Sequence, residues 1–107
     1  MFMYPRTDRR NRMDVRVLKE LREYYKALSD GARLRILEQL ARHELTVSEL
    51  ASGLRMSQPL VSWHLRRLVR TGLIKMKREG REVRCSIDRT RLHEYEREFN
   101  SLITNSQ

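Results

Sequence analysis

Thr46 to Arg70 reads TVSELASGLRMSQPLVSWHLRRLVR, and two helices joined by a tight turn account for it residue by residue. Thr46 and Glu49 have the spacing of a capping box, in which each side chain takes an orphan backbone N–H at a helix start. Behind them Val47, Leu50, Ala51 and Leu54 share one side of a short helix. Gly53 to Met56 supplies the turn. Ser57 suits the N-cap of a second helix, and Pro59 is tolerated in its first turn, where N–H groups have no intrahelical partner. Val61, Leu65, Leu68 and Val69 then recur at three- and four-residue steps, the inward stripe of that helix. Gln58, Ser62, Trp63, Arg66 and Arg70 project from the other side, with hydrogen-bonding groups near the N-terminus and cations farther along. This is the arrangement of a helix-turn-helix, whose second helix enters the DNA major groove N-terminus first. Two amphipathic helices of an ordinary bundle would carry the same apolar stripe, and what separates the two readings is charge and the hairpin that follows.

Nine bases and two acids fall between Arg55 and Arg84, so +7 of the +9 formal net charge lies in that stretch. A concentrated basic patch favours a polyanion, because neutralising phosphates releases counterions. With 107 residues the chain has room for one domain and a modest core. Its one cysteine cannot form an internal disulfide, and no apolar run approaches the roughly 18 residues that cross a bilayer. The opening MFMYPRTDRRNR lacks the apolar core of a signal peptide, so a cytoplasmic location without membrane attachment is expected.

Residues 1–12 contain Pro5 and several arginines without periodicity and read as an arm. Either it is a solvated tail, or Arg6, Arg9, Arg10 and Arg12 enter a minor groove. The domain is expected to run from 13 to 104, with 105–107 as a tail. Asp14 to Leu28 is predicted helical from Val17, Leu18, Leu21, Tyr24, Tyr25 and Leu28. Ser29-Asp30-Gly31 ends it and caps a second helix whose buried face is expected to be Leu34, Ile36, Leu37, Leu40 and Ala41, with Arg33 and Arg35 outside. Gly72 suits the left-handed residue that closes the reading helix. The period then changes to two: Ile74 and Met76 alternate with Lys75 and Lys77, Glu79-Gly80-Arg81 turns, and Val83, Cys85 and Ile87 alternate with polar residues. That is a two-stranded wing with a basic tip. Cys85 falls on its apolar face, the place of a small buried hydrophobe, whereas a redox switch would need an exposed thiolate. Asp88 or Thr90 caps a last helix carrying Leu92, Tyr95, Phe99, Leu102 and Ile103 in one stripe. That stripe either closes the monomer core or covers a second copy of the chain, and palindromic DNA rewards the second use.

LSDGARLRILEQL, ELTVSELASGL, MSQPLVSWHLRRLVRTGLIKMKREGREV and the terminal helix, in this order and spacing, resemble the ArsR/SmtB family of bacterial winged-helix repressors over about residues 15–103. The resemblance implies a mainly α fold with a small β-hairpin in the order α-α-α-α-β-β-α, and a homodimer joined by the first and last helices, through 14–28 and 89–103. It also implies binding of double-stranded DNA at an imperfect palindromic operator, with repression as the outcome. Ser57, Gln58, Pro59, Ser62, Trp63, His64, Arg66 and Arg67 on the reading helix, with Lys77, Arg78 and Arg81 on the wing, are the expected DNA contacts. His64 is typical of the family and serves either packing or a phosphate. Pro59, Leu60 and Trp63 depart from the small polar residues usual there.

Metal-sensing members carry a Cys-x-Cys pair where this chain has Thr46 and Ser48, and hydroxyls that stay protonated do not replace thiolates for soft metals. A second family site uses Asp, His and Glu of the last helix from both subunits. Here Asp88, His93, Glu94 and Glu96 stand without a second downstream histidine. No metal and no cofactor is therefore expected. No Gly-rich loop or Cys/His nucleophile spacing suggests catalysis, so the chain is not read as an enzyme. The alternatives are a metal- or redox-responsive repressor of the same family, and a protein-interaction module retaining the fold.

Overall fold

The computed structural model describes residues 14–104. The basic arm and the short tail lie outside the described residues. The elements are α1 (Val15–Leu28), α2 (Gly31–Leu40), β1 (Leu45–Thr46), α3 (Val47–Leu54), α4 (Gln58–Val69), β2 (Ile74–Glu79), β3 (Glu82–Ile87) and α5 (Arg89–Thr104). This is the expected order with one short strand added. Helix starts are set locally: Asp14 accepts from Arg16 N at 2.7 Å, Asp30 from Arg33 N at 3.1 Å, and Asp88 from Arg91 N at 3.1 Å. Thr46 and Glu49 form the complete capping box, with bonds of 3.1 and 2.8 Å.

Leu45 and Thr46 add a third strand to the predicted hairpin, giving the antiparallel order β1-β3-β2. Two residues carry too little periodicity to be seen in sequence; the strand exists because Cys85 and Arg84 of β3 offer it partners. Gly80, at φ +64, is the first of two loop residues between β2 and β3, where the tight hairpin turns that follow strand twist need positive φ.

Ile36, Leu50, Val61, Leu65, Leu68 and Cys85 are the fully buried centre, drawn from α2, α3, α4 and the sheet. A second cluster joins α1 to α5 through Leu21, Tyr24, Leu73 and Tyr95, where the two tyrosine rings stack with centroids 3.8 Å apart. Tyr95 donates to the Thr71 carbonyl, so α5 is anchored at the end of α4. The last helix thus divides the two uses weighed for its stripe. Tyr95 closes the monomer core, while Phe99, Leu102 and Ile103 stay exposed.

The phase of α2 differs from expectation. Leu34 and Ala41 are exposed, and the buried line is Arg33, Ile36 and Leu40. Both lines have helical spacing, and Arg33 wins because partners await its guanidinium inside. Val69 likewise faces solvent at 37% exposure, and His64 takes the inward position on α4.

Candidate nucleic-acid interface

The turn between α3 and α4 is closed by Arg55 in the left-handed conformation at φ 56, while Gly53 remains inside α3. Ser57 then caps α4, its hydroxyl accepting from Leu60 N at 3.3 Å. The buried side of α4 is Val61, His64, Leu65 and Leu68. Ser57, Gln58, Pro59, Trp63, Arg66, Arg67 and Arg70 are exposed and Ser62 is half-buried, so the first turns offer amide, hydroxyl and indole groups and the last turns offer cations. Those cations also lie at the end of the helix whose dipole favours positive charge. Large apolar surface is present too: Leu60 is 45% and Trp63 44% exposed. The Arg67 guanidinium lies over the Trp63 ring, with Cζ 5.1 Å from the centroid.

His64 departs from its expected place among the DNA contacts. It is only 6% exposed, and its ring meets Arg33 instead of solvent. Burial holds its imidazole below the ordinary range.

On the wing, Lys77, Arg78 and Arg81 are all exposed, but pleating divides them. Lys77 pairs with Arg84 on the polar face, and Arg78 pairs with Val83 on the face that carries Met76 and Cys85. Arg84 is engaged by Glu79 at 2.9 Å. The hairpin is braced almost to its tip, because Ser48 of α3 donates to Glu82 at 3.1 Å and β1 pairs with Arg84. That brace was not legible in sequence: it joins residues 34 apart through one hydroxyl.

The groups weighed as sensors have other employment. Thr46 Oγ1 accepts in the capping box, and Ser48 holds Glu82. His93 pairs with Glu96 at 3.1 Å on the exposed side of α5. Among the described residues no cluster of three or more His, Cys, Asp or Glu is placed to hold a metal ion. Cys85 is fully buried, and burial pushes its thiol up to about 11. Among the same residues no helix is long and apolar enough to cross a membrane.

A helix-turn-helix carried on a helical core, followed by a β-hairpin beside the reading helix, defines a winged helix-turn-helix domain. Residues 30–76 match the family model of bacterial regulatory proteins of the arsR family. The chain is 32% identical over 89 residues to an arsenical resistance operon repressor of Staphylococcus aureus, covering 83% of this chain and 86% of that protein. It is 39% identical over 75 residues to a transcriptional repressor SmtB homolog of Synechocystis, covering 70% of this chain but only 57% of that relative. Its fold matches the homodimeric winged helix-turn-helix DNA-binding domain of a Mycobacterium bovis protein described as a possible ArsR-family transcriptional regulator. That match has a TM-score of 0.70 and 28% identity, covering 88% of this chain and 84% of that one. The chain belongs to the ArsR family of bacterial transcriptional regulators.

Proposed function

We propose that this protein is a repressor that binds a palindromic DNA operator as a homodimer, without sensing metal. The carrying observation is the outward side of α4, where Gln58, Ser62 and Trp63 precede Arg66, Arg67 and Arg70, beside a wing bearing Lys77, Arg78 and Arg81. Gln58 suits the N6/N7 edge of adenine, and Leu60 and Trp63 suit thymine methyl groups. Arginines and wing bases take phosphate, which positions the helix without specifying sequence. Ser57 and Pro59 bring the backbone of the first turn against the duplex. The domain proper is assigned to 13–104, with the basic arm of 1–12 outside it.

Dimerisation is supported by an open apolar groove of about 440 Å³ between α1 and α5, lined by Val15, Leu18, Leu21, Tyr25, Phe99 and Leu102. Apolar surface left open on two adjoining helices favours a partner carrying the same surface. The M. bovis domain with this fold is homodimeric. The absence of metal sensing rests on the side chains at the family's sensing positions. Hydroxyls occupied in a cap and a wing brace, and a thiol held protonated by burial, are poor ligands. Operator binding followed by fluorescence anisotropy should therefore move by less than about tenfold with zinc, cadmium, arsenite or peroxide, since a larger change needs an effector that discriminates the two states by more than about 1.4 kcal/mol. A larger shift abolished by His93→Ala or Cys85→Ser would contradict the assignment.

Binding to a fragment of the protein's own promoter against random duplex, across a salt series, tests the function directly. Gln58→Ala should cost about 1–3 kcal/mol on the cognate site and little on random DNA. Equal losses on both would remove the base-reading role. Single replacements of Lys77, Arg78 and Arg81 by Ala should weaken all sequences alike and lower the salt slope by about one unit each. Because Lys77 and Arg78 leave opposite faces of the hairpin, a slope changed by only one of the two would show which face of the wing meets the backbone.

A further inference from the structure

One buried cation ties the reading helix to the rest of the chain. Arg33 is 6% exposed; its Nε donates to the Ala27 carbonyl at 2.6 Å, and its Nη1 lies 3.2 Å from His64 Nδ1. A guanidinium has donors and no acceptor, so Nδ1 must accept, and the proton of neutral His64 sits on Nε2. Ala27 lies in the last turn of α1, where carbonyls lack helical partners and the dipole favours a cation. A single planar group of α2 therefore spans the end of α1 and the inner side of α4. Trp63 completes the cluster: its ring stands edge-to-face with His64 at 5.0 Å, and Arg33 Cζ is 5.9 Å from its centroid.

We propose that Arg33, acting through His64, is a positioning residue for base selection. It sets where Trp63 stands on the reading helix, so its loss weakens discrimination between DNA sequences more than it weakens DNA binding itself. This rests on the reading of α4 as the helix in the major groove. Phosphate contacts from long flexible arginines and the wing survive a small tilt of α4, whereas base contacts need placement to about 0.5 Å. Lysine at position 33 would not substitute, because an ammonium lacks the planar fork that reaches two acceptors in fixed directions.

The geometry also makes discrimination depend on pH. His64 faces Arg33 and Asp30 from α2 and its cap, and Arg67 and Trp63 from its own helix. Burial lowers its proton affinity, Arg33 and Arg67 act in the same direction, and Asp30 opposes them. A protonated ring would present a donor to a guanidinium that can only donate. With the folded value below the free imidazole value, the contact is complete above about pH 6.5 and is given up as pH falls.

The test compares wild type, Arg33→Lys, His64→Leu and His64→Asn on a duplex selected by the wild-type protein from a random pool, and on a random duplex of equal length. An Asn carbonyl oxygen can take the place of Nδ1 as acceptor and does not titrate. Arg33→Lys and His64→Leu should lower the selected-to-random affinity ratio by about tenfold or more, with random-duplex affinity held within about twofold. His64→Asn should keep the ratio within about threefold near neutral pH and, unlike wild type, hold it at about pH 5.5. Trp63 is the only tryptophan in the chain, so its emission in the free protein should change over the same acid range in wild type and stay flat in His64→Asn. Equal losses on both duplexes, equal behaviour of His64→Leu and His64→Asn, or a wild-type emission that ignores pH would overturn the proposal. Should Arg33→Lys fail to fold by circular dichroism, the two His64 variants decide by themselves. A wild type that selects no sequence at all would instead refute the DNA-reading premise, and the emission measurement would still judge the Arg33–His64–Trp63 contact.

Discussion

Replacing Leu65 with Ala is expected to remove about 2–5 kcal/mol of folding stability, a large share of the roughly 5–15 kcal/mol that holds a domain of this size together. Leu65 is fully buried where α4 packs on α2, α3 and the sheet, so truncation loses its transfer free energy and leaves a void its neighbours fill only in part. Leu60 supplies the control. On the same helix but 45% exposed, its replacement by Ala should stay within about 0.5 kcal/mol. Urea unfolding at one fixed protein concentration measures both, since association would add to apparent stability. A Leu65→Ala loss under about 1 kcal/mol would mean that α4 is not seated in the core as described.

The second large effect concerns assembly. Phe99→Asp should yield a folded monomer whose operator affinity falls by about 10²–10⁴-fold, the factor gained when two linked half-sites bind together. Phe99 is 41% exposed and touches Tyr25 edge-on at 5.5 Å, so the new carboxylate reaches water in a lone protomer and would be desolvated only against a partner. Sedimentation reads the oligomeric state and circular dichroism the fold. Binding to a half-site should hardly change, because α4 and the wing are untouched. A variant that remains a dimer, or that binds the full operator undiminished as a monomer, would remove the α1/α5 face from the assembly.

Most of what positions the candidate site was legible because it is settled within a turn or two of chain. The Thr46/Glu49 box, the caps at Asp30 and Ser57, the left-handed Gly72 and the two-residue period of the wing each depend on neighbours a few positions away. From these the order of elements and the outward line from Gln58 to Arg70 follow. What stayed hidden is decided by partners distant in sequence. Leu34 and Arg33 compete for the inward side of α2, and hydropathy alone favours leucine. Arg33 goes inside because the Ala27 carbonyl and His64, 31 residues away, receive its guanidinium. That same contact draws His64 into the core, while Val69 is left in solvent.

The short strand at Leu45–Thr46 exists only because β3 is there to pair with it. The split of α5 into a buried Tyr95 and an exposed Phe99 depends on the stacking of Tyr24 from α1. Sequence by itself thus determined the winged helix-turn-helix, its charge and its outward reading face, since caps, turns and periodicity are local. Tertiary structure alone decided which charged and apolar side chains turn inward, because a buried polar group is tolerated only where the fold brings it a partner.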